Sequence, residues 1–177
     1  MKKTIYVLAC LLMMAGPVAI AQVDSGKEVA TLELAAKREA IKKEVLAGYM
    51  ALKQSLIVSD SLNSAKDATK FIGALEQFKF KKLTLPEMNA ATILRKEVKE
   101  LALEISGTSN ITKQRKVFAV LSVKMWDMAA KLQPMGTPIY QQVCPMTGET
   151  WLSMDKEIKN PYYPKNMLTC GEVRQSI

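Results

Sequence analysis

Between Lys27 and Leu132 apolar residues return at threes and fours, and the pattern is broken three times by helix start and stop signals. That spacing lines one face of a helix and buries it against others. The first predicted helix runs from Lys27 to Val58, with Leu34, Ile41, Val45, Leu52 and Leu56 inward. Gly48 within it, before Tyr49, leaves room for a neighbouring helix to approach. Ser59-Asp60-Ser61 ends this helix, and the Asp60 or Ser61 side chain is placed to cap the next. The second helix, Leu62 to Phe78, offers Leu62, Ala65, Ala68 or Thr69, Ile72 and Leu75.

A charged connector, Lys79 to Leu83, leads to Thr84, with Pro86 in the first turn and Glu87 three residues on. This is a capping box with a proline where its missing amide does no harm. Leu94, Val98, Leu101 and Ile105 then point inward, and Gly107 stops the third helix. Asn110 caps a fourth, through Leu132, with Phe118, Leu121, Met125, Met128 and Leu132 inward, and Pro134 ends it. Four such segments with short connections predict an all-α fold, a four-helix bundle over residues 27–133.

After Pro134 prolines and glycines forbid a long helix, so residues 134–177 are expected as an irregular cap on the bundle, within one domain spanning 22–177. Ile139 to Val143 has the makings of a short strand, Thr147-Gly148 of a turn, and the stretch after Gly171 of a short tail. Trp151, Asn160, Pro161 and Tyr162 are the residues expected to pack the cap onto the helices.

Residues 1–21 read as a signal peptide. Lys2 and Lys3 precede an uncharged apolar run, Ile5 to Met14, and Ala19-Ile20-Ala21 matches a cleavage site. Val7-Leu8-Ala9-Cys10 is a weaker match to a lipoprotein signal, with Leu8 a poor fit. The chain is thus expected to be exported to the periplasm, with no transmembrane segment after cleavage. Losing Lys2 and Lys3 lowers the net charge from +8 to +6. The remaining lysines and arginines interleave with glutamates at helical spacing, which predicts solvated faces and not a nucleic-acid surface.

The chain has no histidine. That excludes a His-based acid or base, a Ser-His-Asp triad and His-ligated zinc. No paired-carboxylate signature stands out either, and the protein is read as non-enzymatic. The chemistry that remains is sulfur. Cys144 is followed by Pro145-Met146, and Cys170 is preceded by Met167-Leu168-Thr169. Thiolate and thioether donors without imidazole favour Cu(I) or Ag(I), so Cys144, Met146, Met167 and Cys170 are the candidate metal ligands. Zinc wants four ligands, and Glu149, Asp155 or Glu172 would have to complete its set. The alternative is a Cys144–Cys170 disulfide, closing a loop of about 27 residues and contributing about 3–4 kcal/mol. A thiol oxidoreductase ranks behind both, because the cysteines are not a Cys-x-x-Cys pair.

The cap residues Cys144-Pro145-Met146, Trp151-Leu152-Ser153, Ile158-Lys159-Asn160-Pro161-Tyr162, Met167-Leu168 and Cys170-Gly171, with Tyr49-Met50-Ala51-Leu52-Lys53 and Gln114-Arg115-x-x-Phe118 upstream, resemble a family of exported bacterial domains of unknown function. That family is also found at the C-terminal end of adaptor (membrane-fusion) proteins of copper/silver efflux systems. The resemblance runs from about Glu44 to Val173 and implies a mostly helical exported domain, with heavy-metal efflux or copper-handling proteins as partners. The sequence departs from the pattern at Thr147, where the family usually has Ala, and in the short segment between Met146 and Trp151. It also lacks the adaptor's hairpin and barrel, so a pump-docking role does not carry over.

Overall fold

The computed structural model describes residues 32–177. The expected signal peptide, Cys10 and the expected start of the first helix at Lys27 lie outside the described residues. Four helices succeed one another: α1 (Leu32–Ile57), α2 (Ser61–Gln77), α3 (Leu85–Ser106) and α4 (Ile111–Leu132). Each packs on the next, and α4 returns to α1. None of them is long and apolar enough to cross a membrane.

The boundaries come from local chemistry. Asp60 accepts from the Asn63 amide at 2.9 Å and starts α2. Glu87 accepts from the Thr84 amide at 2.8 Å, and the reciprocal capping box with Pro86 starts α3. Asn110 accepts from the Lys113 amide at 3.0 Å and starts α4. At Gly48, a β-carbon would sit 3.0 Å from the Phe71 Cα, so α1 and α2 cross closely enough that a larger residue would press them apart by a few tenths of an ångström.

The inward faces are partly those expected. Val45, Leu52, Leu56, Ala68, Ile72, Leu75, Val98 and Ile105 are buried, and so is the whole α4 series from Phe118 to Leu132. Leu62 is instead 66% exposed. The buried line of α2 is Ser64, Ala68, Phe71, Ile72 and Leu75. Leu62 stands two residues from Ser64, about 200° around the helix, and so faces water. In α1 the centre of the core is Tyr49, stacked on Phe118 at 5.1 Å between ring centroids.

The C-terminal region corrects the all-α expectation. It holds a three-stranded antiparallel sheet in the order β2-β1-β3: β1 (Tyr140–Val143), β2 (Thr150–Ser153) and β3 (Glu172–Ser176). The stretch after Gly171 is therefore a strand and not a tail. It escapes pattern reading because every residue of β3 is exposed. Its pairing with β1 is made by the backbone, extended by reciprocal Ile139–Ile177 bonds at 3.0 Å, and needs no buried side chains. β2 is buried at all four positions and packs against α4. The protein is thus mostly helical, with a small sheet closing one side.

Candidate functional site

β1 ends at Val143, and the next residue turns the chain into the β1–β2 hairpin. The Cys144 carbonyl accepts from the Gly148 amide at 2.8 Å, and the Cys144 amide donates to the Glu149 carbonyl at 3.0 Å. Gly148, at φ +76°, takes the left-handed position that closes this turn. Cys144 is buried beneath it.

The second cysteine arrives from a different segment. The Met167 amide donates to the Tyr163 carbonyl at 2.8 Å, and the Cys170 amide donates to the Met167 carbonyl at 3.0 Å, which folds Tyr163–Cys170 into two successive turns. Asn160, fully buried, holds them. Its side-chain oxygen accepts from the amides of Tyr162 and Tyr163 at 2.9 and 3.3 Å. Its side-chain nitrogen donates to the Cys170 carbonyl at 3.2 Å, and its own amide donates to the Leu168 carbonyl at 2.8 Å. Gly171 then passes directly against the core. A β-carbon there would lie 2.8 Å from Ile158 Cγ2 and 2.9 Å from Trp151 Cη2, so no larger residue fits without displacement.

The result is that Cys144 and Cys170, 26 positions apart, place their sulfurs 3.4 Å from each other as two free thiols. The pair is electrostatically asymmetric. Burial pushes the Cys144 thiol up, but hydrogen bonds from the Thr147 side chain, from Cys170 and from the Met146 and Thr147 amides outweigh it, and its pKa is lowered. Cys170 is raised, first by its hydrogen bond to Cys144 and then by burial. Of the two, Cys144 is the one whose ionised form is favoured, with Cys170 as its hydrogen-bond donor. The Thr147 side chain supplies one of the hydrogen bonds that favour the ionised form of Cys144.

Met146 and Met167 reach the pair through their backbones, as amide donor and as carbonyl acceptor for the Cys170 turn. The Met146 side chain is 74% exposed, and that of Met167 is half-buried. Among the described residues no three His, Cys, Asp or Glu side chains are gathered as a ligand set, so Glu149, Asp155 and Glu172 do not complete a four-ligand zinc site with the thiols. Two sulfurs joined through one ion at ~2.3 Å bonds would stand about 3.8 Å apart at a tetrahedral angle and about 4.6 Å apart in a line. A bonded disulfide needs about 2.0 Å. The observed gap lies between these, nearer the tetrahedral bite.

Trp151, Asn160, Pro161 and Tyr162 are all buried and fasten the cap to the helices. The Tyr49 hydroxyl accepts from the Leu152 amide at 3.0 Å and lies 2.8 Å from Ser122 Oγ. The Tyr162 hydroxyl donates to the Thr150 carbonyl at 2.6 Å and lies 3.3 Å from the same Ser122 Oγ. Burial pushes both phenols up. Arg115 donates from Nε to the Pro161 carbonyl at 2.9 Å and from Nη2 to the Leu56 carbonyl at 2.7 Å. Sequence reading marks Tyr49 through a family pattern without a role and expects Arg115 on a solvated helix face, whereas the structure half-buries Arg115 against these carbonyls. It passes over Ser122, which carries no signal beyond a polar residue on the inward face of α4.

A family model described as a protein of unknown function (DUF3347) matches residues 45–136, just over half of the chain. No curated protein and no solved structure matches it. The matched stretch ends at Gly136, short of the Glu44–Val173 span expected, and contains neither cysteine of the sulfur pair. It does contain Tyr49, Lys53, Arg115 and Ser122, whose hydrogen bonds reach into the cap.

Proposed function

The chain belongs to the family described as a protein of unknown function (DUF3347), and on that premise we propose that it is an exported, non-enzymatic module that binds or hands on a soft metal ion, copper(I) or silver(I). The observation that carries this reading is the 3.4 Å approach of the Cys144 and Cys170 sulfurs. Soft monovalent ions are satisfied by few sulfur donors, which suits two thiols with no third acidic ligand beside them. The hydrogen bonds at Cys144 favour the thiolate that such an ion requires. Met146 comes two residues after Cys144 in an exposed turn, where its thioether is free to swing towards an incoming ion. The resemblance to domains fused to copper/silver efflux adaptors supplies the partner class, heavy-metal efflux or copper-handling proteins. Titration of reduced protein with Cu(I) against a competing chromophoric chelator tests the reading. Uptake of one ion per chain, lost in the Cys144→Ser, Cys170→Ser variant, supports it, and no uptake by folded reduced protein overturns it.

A second reading rests on the same approach of the sulfurs. Two-electron oxidation by an external oxidant, with loss of both thiol protons, would close the gap by about 1.4 Å and join them as a disulfide. The bridge would then tie the hairpin to the Tyr163–Cys170 turns as a permanent staple in an interaction domain without metal.

A further inference from the structure

Between α1 and the segment that begins at Ser153 lies a groove of about 430 Å³, lined in part by Met50, Gln54, Ile57 and Met154. Lys53 also lines it. Its ammonium is one of the few buried charges of the described residues, with 8% of the residue exposed. Its hydrogen-bond partner is neutral, the Ser153 hydroxyl at 3.2 Å. Among the described residues no carboxylate is recorded within ion-pairing distance of it. The other charged groups facing the groove are engaged with one another or with backbone. Lys159 pairs with Glu157 at 2.8 Å, and Asp155 accepts from the Glu157 amide at 3.0 Å.

We propose that Lys53 is a nucleophilic amine, and that this groove is a covalent binding site for small uncharged carbonyl compounds such as aldehydes. A buried ammonium with one neutral acceptor is poorly solvated, so a larger share of free amine is present there than on an exposed lysine. An anionic ligand would meet the Asp155 and Glu157 carboxylates, whereas a small neutral molecule meets Met50, Ile57 and Met154. The Lys53 nitrogen lone pair attacks the carbonyl carbon, and the carbonyl π electrons move to oxygen. The carbinolamine loses water, which carries away the oxygen and both amine hydrogens, and a C=N bond remains. The Ser153 hydroxyl is placed to pass the proton from nitrogen. Burial lowers the Lys53 pKa to about 8, against a smaller opposing effect of Asp155. At pH 7 about a tenth of this amine is then neutral, compared with roughly 0.04% for an ordinary lysine. This site is independent of the sulfur pair and of the metal reading.

The test uses the full chain, limiting propionaldehyde and cyanoborohydride, which reduces the imine to a stable secondary amine. Peptide mapping by mass spectrometry then reads each lysine. Lys53 is expected to be modified at least tenfold faster than the mean of the other lysines at pH 7.5, with a rate half-maximal near pH 8. The Lys53→Met variant is expected to lose this fast phase, and Ser153→Ala to slow it. Modification of Lys53 in wild-type protein at or below the rate of the exposed lysines overturns the proposal without reliance on any variant.

Discussion

The side-chain amide of Asn160 donates to the Cys170 carbonyl at 3.2 Å while its oxygen caps the turn that begins at Pro161. One buried side chain thus fixes where the second sulfur stands. Asn160→Ala would leave the Cys170 carbonyl and the Tyr162 amide without these partners. A loss of about 2–3 kcal/mol is expected by chemical denaturation. Alkylation of Cys170 should also become faster, because its turn is no longer held.

Gly171→Ala tests the packing behind the sulfur pair. The added methyl meets Ile158 and Trp151 at less than 3.0 Å and the Val143 carbonyl at 3.2 Å. A destabilisation of about 1–3 kcal/mol is expected, accompanied by a shift in Trp fluorescence. Gly73→Ala is the control, since a β-carbon there meets nothing within 4 Å.

Tyr49 and Tyr162 meet at Ser122, so their hydroxyls act together. Tyr49→Phe and Tyr162→Phe should each cost about 1–2 kcal/mol. The double variant should cost measurably less or more than their sum, because they share a partner. Strict additivity would mean that the Ser122 junction couples nothing.

Lys53 sets a pH dependence of stability. Its folded pKa, about 8, lies below the ordinary lysine value, so between these values the unfolded chain binds more protons. Stability from this group therefore rises as pH climbs through 8, by about 2 kcal/mol between pH 7 and pH 9.5. Higher still, Tyr49 and Tyr162 oppose it, because burial holds both neutral in the fold while the unfolded phenols ionise near pH 10. Thermal melts at pH 7 and 9.5 should show this rise in wild type and its absence in Lys53→Met.

The helices are legible in the sequence because capping and periodicity are local. Asp60, Thr84 with Glu87, and Asn110 mark starts that the structure keeps. The exposed Leu62 is misplaced by the pattern because the inward face of α2 is set by Ser64 and Ala68, small residues that a hydrophobic pattern undervalues. The sheet is only partly legible. β1 shows a short run beginning at Ile139, but β3 pairs mainly through its backbone, with one Gln175–Gln141 side-chain bond, and carries no apolar alternation. Cys144 and Cys170 are visible as residue types, whereas their juxtaposition depends on Asn160, Gly171 and the hairpin turn acting at a distance in sequence. The Lys53 groove gives no signal, since a lysine on a helix is ordinarily solvated and its burial comes from β2 folding over it.

The most direct test of the account is mass spectrometry of the reduced full chain after exposure to Cu(I), under native conditions and again after denaturation with thiol alkylation. One copper ion per folded chain is expected, with both Cys144 and Cys170 shielded from alkylation until the metal is removed, and with binding abolished in a folded Cys144→Ser, Cys170→Ser variant. Folded reduced protein that carries no copper and alkylates freely at both cysteines would contradict it.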